Sequence, residues 1–258
     1  MSSSALAVTY HGVDRAAGPL SVTPELLREH LDRIVDAGVP VLTISEIAAH
    51  LHAGTLPHRA VALTFDDAFG SVPELAAPLL AERRLRATVF VVAGAVGGTN
   101  AWPTQPPGVA EARLAGAAEL RGLAAAGWEV GSHGTRHAPL ARISDAEARS
   151  EIVDSKAALE HSLQLEVSSF ALPYGVPPGA RARELLDRTY DAVCTTRPGM
   201  VGPGTSRQAL PRVDAHYLRR PGMLGAALDG SATAYLQLRG VAARARRVVR
   251  KDYVAAAS

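Results

Sequence analysis

Short apolar runs alternate with segments of helical spacing along most of the chain. The apolar runs that predict strands cover residues 5–10, 39–44, 59–65, 87–92, 128–131, 167–172 and 192–195. The segments that predict helices cover residues 23–38, 45–54, 73–83, 115–126, 144–163, 179–188 and 231–254. This alternation predicts an α/β fold with parallel strands and with helices packed outside them.

Several of the predicted helices carry sequence signals at their ends. Thr23 is placed to cap the first helix, and Gly38 is placed to end it. Ser144 and Glu147 form a capping box at the start of the long helix 144–163. Ser45 is predicted to cap the short helix that ends near residue 54.

No linker or repeat divides the chain, so residues 1–230 are predicted to form one domain. A Gly- and Pro-rich loop at 94–108 contains Trp102 and is predicted to contact substrate, because long loops in compact domains often bind ligands. Residues 231–258 are predicted to add a basic C-terminal helix. A solvated basic face is one interpretation of this helix, and contact with a membrane surface or an anionic partner is the other.

Composition narrows the functional class. The chain has 258 residues, of which 47% are hydrophobic and 20% are charged, and this is typical of a globular protein. A net charge of +2 gives no reason to expect nucleic acid as a partner. Cys194 is the single cysteine and so forms no internal disulfide.

The N-terminal apolar run ends at His11 and is too short for a signal peptide or a membrane span, which predicts a cytoplasmic protein. The oligomeric state is not readable.

Two adjacent carboxylates follow a predicted buried strand in Leu63-Thr64-Phe65-Asp66-Asp67. In a parallel barrel the carboxyl ends of the strands form the catalytic face. Paired acids there repel each other unless a cation or a proton neutralises one of them. The alternative is a loop or helix cap that uses two Asp residues.

A pair of histidines follows the predicted strand 128–131, in His133-Gly134-Thr135-Arg136-His137. Histidines four residues apart can bind one metal ion if the segment is a helical turn, and otherwise they are ordinary surface residues. Two imidazoles and one carboxylate form a site with open positions, which is typical of catalytic zinc. The other carboxylate can then take a proton from a metal-activated water.

These motifs resemble those of the polysaccharide deacetylases, also called NodB-homology deacetylases. Thr64-Phe65-Asp66-Asp67 is similar to the family motif T-F-D-D-G, and His133 and His137 match the histidines of H-[ST]-x-x-H. Phe170-Ala171-Leu172-Pro173-Tyr174-Gly175 matches R-x-P-[YF] at Pro173 and Tyr174. The resemblance covers residues 5–215.

The resemblance implies a distorted (β/α) barrel, seven-stranded and of the NodB-homology type. It implies that Asp66 is the general base and that Asp67, His133 and His137 bind the metal, most often zinc, with cobalt, nickel or manganese as alternatives. It also implies that the main-chain N–H of Tyr174 helps to bind the oxyanion, and that Pro173 lies at the substrate.

Three positions depart from the family pattern, namely Ala68 for Gly, Gly134 for Ser or Thr, and Ala171 for the Arg that orients the base. None of these changes removes a ligand. A small residue at position 171 resembles the branch of poly-N-acetylglucosamine deacetylases. Arg212, at the end of a further predicted strand, is expected either to pair with Asp66 in place of the missing arginine or to bind substrate.

The family's general acid is a histidine in a late L-x-H motif, to which the chain has no clean match. His216 has the wrong spacing, and Asp214 is only a weak candidate. His11 follows the first strand, and in the resembling branch the late strand is moved to the N-terminus by circular permutation. His11 is therefore predicted to be the general acid, with a satisfied loop histidine as the alternative. The remaining histidines, His30, His50, His52, His58 and His161, are predicted to be structural or solvated.

The resulting hypothesis is a metal-dependent hydrolase that removes the N-acetyl group of an amino sugar. Three alternatives stay open: hydrolysis of a formyl group or a cyclic ureide, a catalytically impaired sugar-binding relative, and a non-haem iron oxygenase. A non-haem iron oxygenase usually carries its two histidines and one carboxylate on an antiparallel barrel. The alternation of helices and strands in this chain argues against such a fold.

Overall fold

A parallel sheet with helices on its outside forms the molecule. The structure is a computed structural model that describes residues 3–15, 18, 20–105, 109–141, 143–232, 234–236 and 238–239. Its strands are β1 (Ala5–Tyr10), β2 (Gly12–Val13), β3 (Ser21–Val22), β4 (Ala60–Phe65), β5 (Thr88–Val91), β6 (Glu129–Ser132), β7 (Ser169–Ala171), β8 (Ala192–Cys194) and β9 (Val213–Asp214). Seven of them form one sheet in the order β8-β7-β6-β5-β4-β1-β9, and every pair in it is parallel.

The two edges of this sheet approach each other through the segment that leads into β9. Leu210 bridges to Cys194 of β8, and three residues later Val213 pairs with Val8 of β1. The sheet therefore curls into a barrel, and hydrogen bonds on both sides of that bridge, such as Arg212 N to Arg197 O, hold its last seam. The predicted α/β fold, a distorted barrel of seven strands, is confirmed.

Eight α-helices have their bounds within the described residues, and residues 234–236 and 238–239 are helical as well. The eight helices are α1 (Pro24–Ala37), α2 (Ile44–Ala53), α3 (Ala77–Ala81), α4 (Ala117–Ala125), α5 (Asp145–Arg149), α6 (Ser155–Leu163), α7 (Ala180–Thr189) and α8 (Met223–Leu228). The predicted caps at Thr23 and at Ser144 with Glu147 are confirmed, as is the helix end at Gly38, which has a φ of 61°.

The predicted strand 39–44 is wrong. Only Val41 makes a bridge there, to Val61, and α2 begins at Ile44. Thr43 caps this helix in a capping box with Glu46, so the prediction that Ser45 is the cap is also wrong. The box satisfies helix N–H groups at the place where the apolar pattern favoured a strand. Ser45 instead uses its hydroxyl to bond the carboxylate of Glu129.

The predicted long helix 144–163 is interrupted. A π turn, Ser150–Asp154, separates α5 from α6. A second π turn, Val72–Ala76, precedes α3 inside the predicted helix 73–83. Such wider turns change the direction in which side chains leave a helix, and they often occur near functional sites.

Alternation along the strands divides the core into two parts. In β1, Leu6, Val8 and Tyr10 join the larger cluster beneath the helices, whereas Ala5 and Ala7 join a smaller cluster. That smaller cluster lines the barrel, and it also contains Ala60 and Ala62 of β4, Phe90, Ala171, Ala192 and Cys194. The period of two then brings Thr9 and His11, and likewise Thr64 and Asp66, to the interior at the carboxyl ends of β1 and β4.

The C-terminal segment 240–258 lies outside the described residues. The predicted helix 231–254 and its contact with a membrane surface stay predictions, as do the domain bounds 1–230 and 231–258. Within the described part of the chain, no helix combines the length and the apolar character needed to cross a bilayer.

Gly131 tests how tightly the barrel interior is packed. A Cβ added there would lie 2.5 Å from Phe90 Cε1 and 2.6 Å from Ser169 Oγ. We expect Gly131→Ala to lower the free energy of unfolding by about 1–3 kcal/mol, because overpacking a dense core displaces its neighbours. Urea unfolding followed by circular dichroism measures this change.

Gly122 is the matched control, since it lies exposed in α4 with nothing within 4 Å of an added Cβ. Gly122→Ala should stabilise the protein by roughly 0.5–1 kcal/mol through helix propensity. A Gly131→Ala protein as stable as Gly122→Ala would contradict the close packing of the barrel.

Candidate active site

A pocket of about 290 Å³ opens at the carboxyl ends of the barrel strands. Its lining brings together residues from the ends of β1, β4, β6, β7 and β8, from β9 and from the loop after β5. These residues are Thr9, His11, Leu20, Asp66, Asp67, Trp102, Gln105, Val109, His133, His137, Leu172, Tyr174, Thr196, Arg212, Asp214 and Tyr217. Parallel strands gather their carboxyl ends on one face, which is why positions distant in the sequence meet here.

Asp67, His133 and His137 point one ligand atom each towards a common centre. Asp67 Oδ1 lies 3.6 Å from His133 Nε2 and 3.4 Å from His137 Nε2, and the two Nε2 atoms are 3.2 Å apart. All three side chains are buried, and Asp67 Oδ1 has no hydrogen-bond partner within the described chain. A buried carboxylate oxygen that faces two imidazole nitrogens fits a divalent cation.

The protonation of these groups also suits a cation. His133 Nδ1 lies 2.8 Å from the carbonyl oxygen of Ala171 and donates to it, so Nε2 is the ring nitrogen that faces the centre. Burial, and next the neighbouring His133, lowers the pKa of His137 well below its usual value and keeps that imidazole neutral. Burial raises the pKa of Asp67, because it disfavours the charged carboxylate. A bound cation would offset this effect.

The segment that carries the two histidines is not helical, so the helical turn that the four-residue spacing would have required is not what brings them together. Gly134 has a φ of +85° and His137 a φ of +57°, and these residues fold the segment into a compact loop. Backbone bonds tie the loop to the neighbouring strand, from His133 N to Val91 O and from Ala93 N to Gly134 O. The loop, rather than helical periodicity, turns both imidazoles to one side.

Positive φ angles concentrate at this site. Four of the six non-glycine residues with positive φ among the described residues are Asp67, Ala68, His137 and Tyr174. This conformation costs an L-residue roughly 1–2 kcal/mol, and such strain is typical of functional sites. It also explains why the resembling motif has Gly at the position of Ala68, since glycine adopts positive φ without that cost.

Asp66 is held by Arg212 and faces the same pocket. Arg212 Nη1 and Nη2 donate to Asp66 Oδ1 and Oδ2 at 2.7 and 2.8 Å. The guanidinium side chain is fully buried and lies over the ring of Phe90 at 5.2 Å. Arg212 was predicted either to pair with Asp66 or to bind substrate, and the structure shows the pairing. Its guanidinium supplies the positive charge of the family arginine that is replaced here by Ala171.

The charge of Asp66 follows from this pairing. Burial acts to raise the pKa of Asp66, but the Arg212 guanidinium together with His133 and His11 outweighs this effect, and the pKa lies well below the usual range for an aspartate. Asp66 is therefore ionised at neutral pH and able to accept a proton. A two-point pair also leaves the carboxylate little freedom to turn away from the pocket.

Two aromatic rings flank His137. Trp102 and Tyr174 each lie 4.5 Å from its imidazole, measured between ring centroids. The Tyr174 hydroxyl donates to Thr104, at 2.7 Å from its carbonyl oxygen, which ties the turn after β7 to the 94–108 loop. Trp102 and Tyr174 are thus at the pocket, whereas Pro173 lies in the 3-10 turn Pro173–Gly175 and does not line it.

His11 and Asp214 line the pocket, while His216 does not. Asp214 Oδ1 accepts from His216 N, which caps the turn Ala215–Leu218. His30 is buried in the core, where Nδ1 lies 2.8 Å from the Tyr10 hydroxyl, so its predicted structural role is confirmed.

Four further polar lining residues were not named as candidates from the sequence. Thr9, Gln105, Thr196 and Tyr217 lie at the pocket although none belongs to a recognisable motif. Thr9 follows from the alternation of β1, and Thr196 follows β8 just as His133 follows β6. Gln105 lies in the loop 94–108 that was predicted to contact substrate, whereas Tyr217 has no sequence signal.

The family model named "Polysaccharide deacetylase" matches residues 53–192. The chain belongs to the polysaccharide deacetylase family. The matched range is more than half of the chain and includes Asp66, Asp67, His133, His137 and Tyr174. His11 and Arg212 lie outside it. Polysaccharide deacetylases hydrolyse N-acetyl amide bonds, so the chain is a hydrolase, and the predicted family and enzyme class are confirmed.

Relatives and solved structures agree with this assignment. The Bacillus subtilis (strain 168) protein YxkH, itself named only as a candidate polysaccharide deacetylase, is 23% identical over 219 residues, which are 84% of this chain and 72% of that protein. The Streptococcus pyogenes deacetylase PplD, solved in complex with acetate, has a TM-score of 0.71 at 23% identity and covers 83% of this chain and 93% of its own. IcaB from Ammonifex degensii has a TM-score of 0.71 at 23% identity and covers 88% and 96%. These two structures show a shared fold.

The pairing of Asp66 with Arg212 makes a prediction about stability. Arg212→Met leaves a buried carboxylate without its cation, and we expect the free energy of unfolding to fall by about 3–5 kcal/mol. Adding Asp66→Asn removes that uncompensated charge, so the double variant should be more stable than Arg212→Met alone. Urea unfolding of the three proteins measures both effects. A double variant no more stable than Arg212→Met would contradict the pairing.

Proposed function

We propose that this polysaccharide deacetylase removes the acetyl group from the nitrogen of an N-acetylated amino sugar and depends on a bound divalent metal. The observation that carries the proposal is the juxtaposition of two groups in one pocket. Asp67, His133 and His137 present three ligand atoms that lie within 4.8 Å of one another. Beside them, Asp66 is held ionised by Arg212.

The donor set fits zinc best, with cobalt, nickel or manganese as alternatives that accept the same ligands. When bound, such a metal polarises the acetyl carbonyl and lowers the pKa of a water molecule. Asp67, His133 and His137 hold it in place. His133 keeps its ring orientation through its bond to Ala171 O.

Asp66 is the proposed general base. Amide hydrolysis requires a water oxygen to bond to the carbonyl carbon while a proton leaves that water. Asp66 is ionised and faces the pocket, so it accepts this proton. The guanidinium of Arg212 holds both of its oxygens, and the carboxylate therefore stays oriented without binding the metal itself.

His11 is the proposed general acid. The carbon–nitrogen bond breaks only as the nitrogen gains a proton, since an amide anion is a very poor leaving group. His11 follows β1 on the interior side of the barrel and lines the pocket together with Asp66 and Asp67. It donates the proton to the departing amine, and acetate and the free amino sugar are released.

The remaining walls suit an acetylated sugar. We propose that the main-chain N–H of Tyr174 donates to the oxyanion, for which one donor is worth roughly 3–4 kcal/mol in other hydrolases. Trp102 provides an aromatic wall beside His137, and Pro173 shapes the turn that presents Tyr174. The deacetylase PplD of Streptococcus pyogenes, which shares this fold, was solved in complex with acetate, and acetate is the product proposed here.

One pair of variants distinguishes the role of the general base from that of the metal ligands. Asp66→Asn should lower kcat by at least about 100-fold and leave the metal content unchanged, because its carboxylate moves a proton and holds no metal. His133→Ala should lose the metal, since it removes a ligand. Metal analysis of the purified proteins is combined with acetate release from chitooligosaccharides and N-acetylglucosamine conjugates.

Chelated wild-type protein, before and after addition of zinc or cobalt, is the control in this assay. Acetate release that returns with the metal supports the proposal. A fully active Asp66→Asn variant would contradict the assignment of the base, and acetate release unaffected by chelation would contradict the metal.

The role of His11 is tested by comparing two substrates whose leaving groups differ in their need for a proton. His11→Asn should lower kcat on an N-acetylated sugar by about 100- to 10,000-fold, since protonation of the amine is lost. On an aryl acetate the loss should be much smaller, because a phenolate leaves without protonation. Equal losses on the two substrates, measured as kcat, would show that His11 is not the acid.

A further inference from the structure

Glu151 holds the loop that carries the two histidine ligands. Its Oε2 accepts hydrogen bonds from the backbone N–H groups of Thr135 at 2.9 Å, Arg136 at 3.1 Å and Ala138 at 3.5 Å. Its Oε1 accepts from Arg136, at 3.2 Å from the backbone nitrogen and 3.1 Å from Nε. The Glu151 side chain is fully buried. One carboxylate therefore binds three backbone donors between and just beyond His133 and His137.

The element that presents Glu151 is itself fixed. Glu151 lies in the π turn Ser150–Asp154, and Ser150 O accepts from Thr135 Oγ1 at 2.6 Å. Glu151 O accepts from Ser155 Oγ at 2.7 Å. Such a wide turn in a helix frequently marks a functional position. The loop is thus bonded to the π turn both through the Glu151 carboxylate and through Ser150 O.

Gly134 and Glu151 are complementary in shape. A Cβ added at Gly134 would lie only 2.5 Å from Glu151 Oε2, so the carboxylate occupies the space that a side chain would need. The resembling motif has Ser or Thr at this position, whereas this chain combines glycine with a buried carboxylate. The positive φ of Gly134, +85°, further favours glycine.

We propose that Glu151 is a positioning residue that sets the geometry of His133 and His137 towards Asp67, an inference that rests on the metal site proposed above. The loop is not helical and has no periodic hydrogen bonding of its own that would fix the separation of the two imidazoles. Its shape depends on bonds to other elements, and Glu151 supplies more of them than any other described side chain. Residues behind the ligands typically alter metal affinity by 10- to 100-fold when they are removed.

A structural role alone would affect folding without affecting the metal. Glu129 provides the comparison, because it is another carboxylate that binds several donors, among them Thr88 Oγ1 at 2.8 Å and Ser169 Oγ at 2.5 Å. It starts β6 at the opposite end of that strand from His133. Glu129→Gln is therefore the matched control for loss of a bonded carboxylate.

The experiment measures cobalt(II) affinity of the full chain by competition with a chelator, together with the visible spectrum of the bound ion and thermal unfolding. We expect Glu151→Gln to raise the Kd for cobalt about 10-fold and Glu151→Ala up to about 100-fold, with an altered spectrum in each. Glu129→Gln should lower the melting temperature but leave the Kd within about threefold of the wild-type value and the spectrum unchanged.

Glu151→Gln preserves the volume and one acceptor oxygen, so it tests the proposal if Glu151→Ala does not fold. Gly134→Ala disturbs the same contact from the side of the loop, because the added Cβ would collide with the Glu151 carboxylate. This variant should therefore also raise the Kd for cobalt. Variants at Glu151 that bind cobalt with the wild-type Kd and spectrum would overturn the positioning role. A wild-type protein that binds no cobalt would instead overturn the metal site of the proposed function.

Discussion

Arg212 and Asp66 form a two-point ion pair inside a barrel that is otherwise lined largely by alanine and other apolar side chains. A charge placed alone in such an interior would be very costly, so each partner makes the other tolerable. The guanidinium also bonds Thr64 Oγ1 and Thr195 O, which lie on two different sides of the barrel. The pair therefore joins the seam near β9 to β4 and at the same time keeps Asp66, the proposed base, ionised. Closure of the barrel and the proposed catalysis share this contact.

The proposed metal ligands are arranged by a different means. Asp67 follows Asp66 with positive φ, which turns its carboxylate away from that of its neighbour and towards the histidines. His133 and His137 approach it from a loop held by β5 on one side and by Glu151 on the other. Two adjacent carboxylates in one motif can thus serve two purposes, because one is neutralised by an arginine and the other is left to a cation.

Flanking the ligands, the aromatic rings of Trp102 and Tyr174 exclude water from His137 and connect two loops through the bond to Thr104. Electrostatic interactions strengthen in such a shielded place, which favours catalysis by fixed charges. The strain concentrated at Asp67, Ala68, His137 and Tyr174 is offset by the dense packing of the barrel beneath them.

The sequence by itself determined the alternation of strands and helices, the family motifs and the identities of the three candidate ligands, because these depend on local pattern and spacing. Even so, local pattern misplaced the strand 39–44, since the capping box of Thr43 and Glu46 outweighed an apolar run. The choice between two roles for Arg212 was settled only in three dimensions, because residues 66 and 212 meet through closure of the sheet and through no local rule. Only the tertiary structure shows that Glu151 binds the histidine loop, because nothing in its predicted helical position indicates that contact. Only the tertiary structure shows, too, that the two histidines lie on a loop and not on a helical turn. Sequence thus decides which chemical groups are available, and the barrel decides which of them meet, since parallel strands bring distant carboxyl ends to one face.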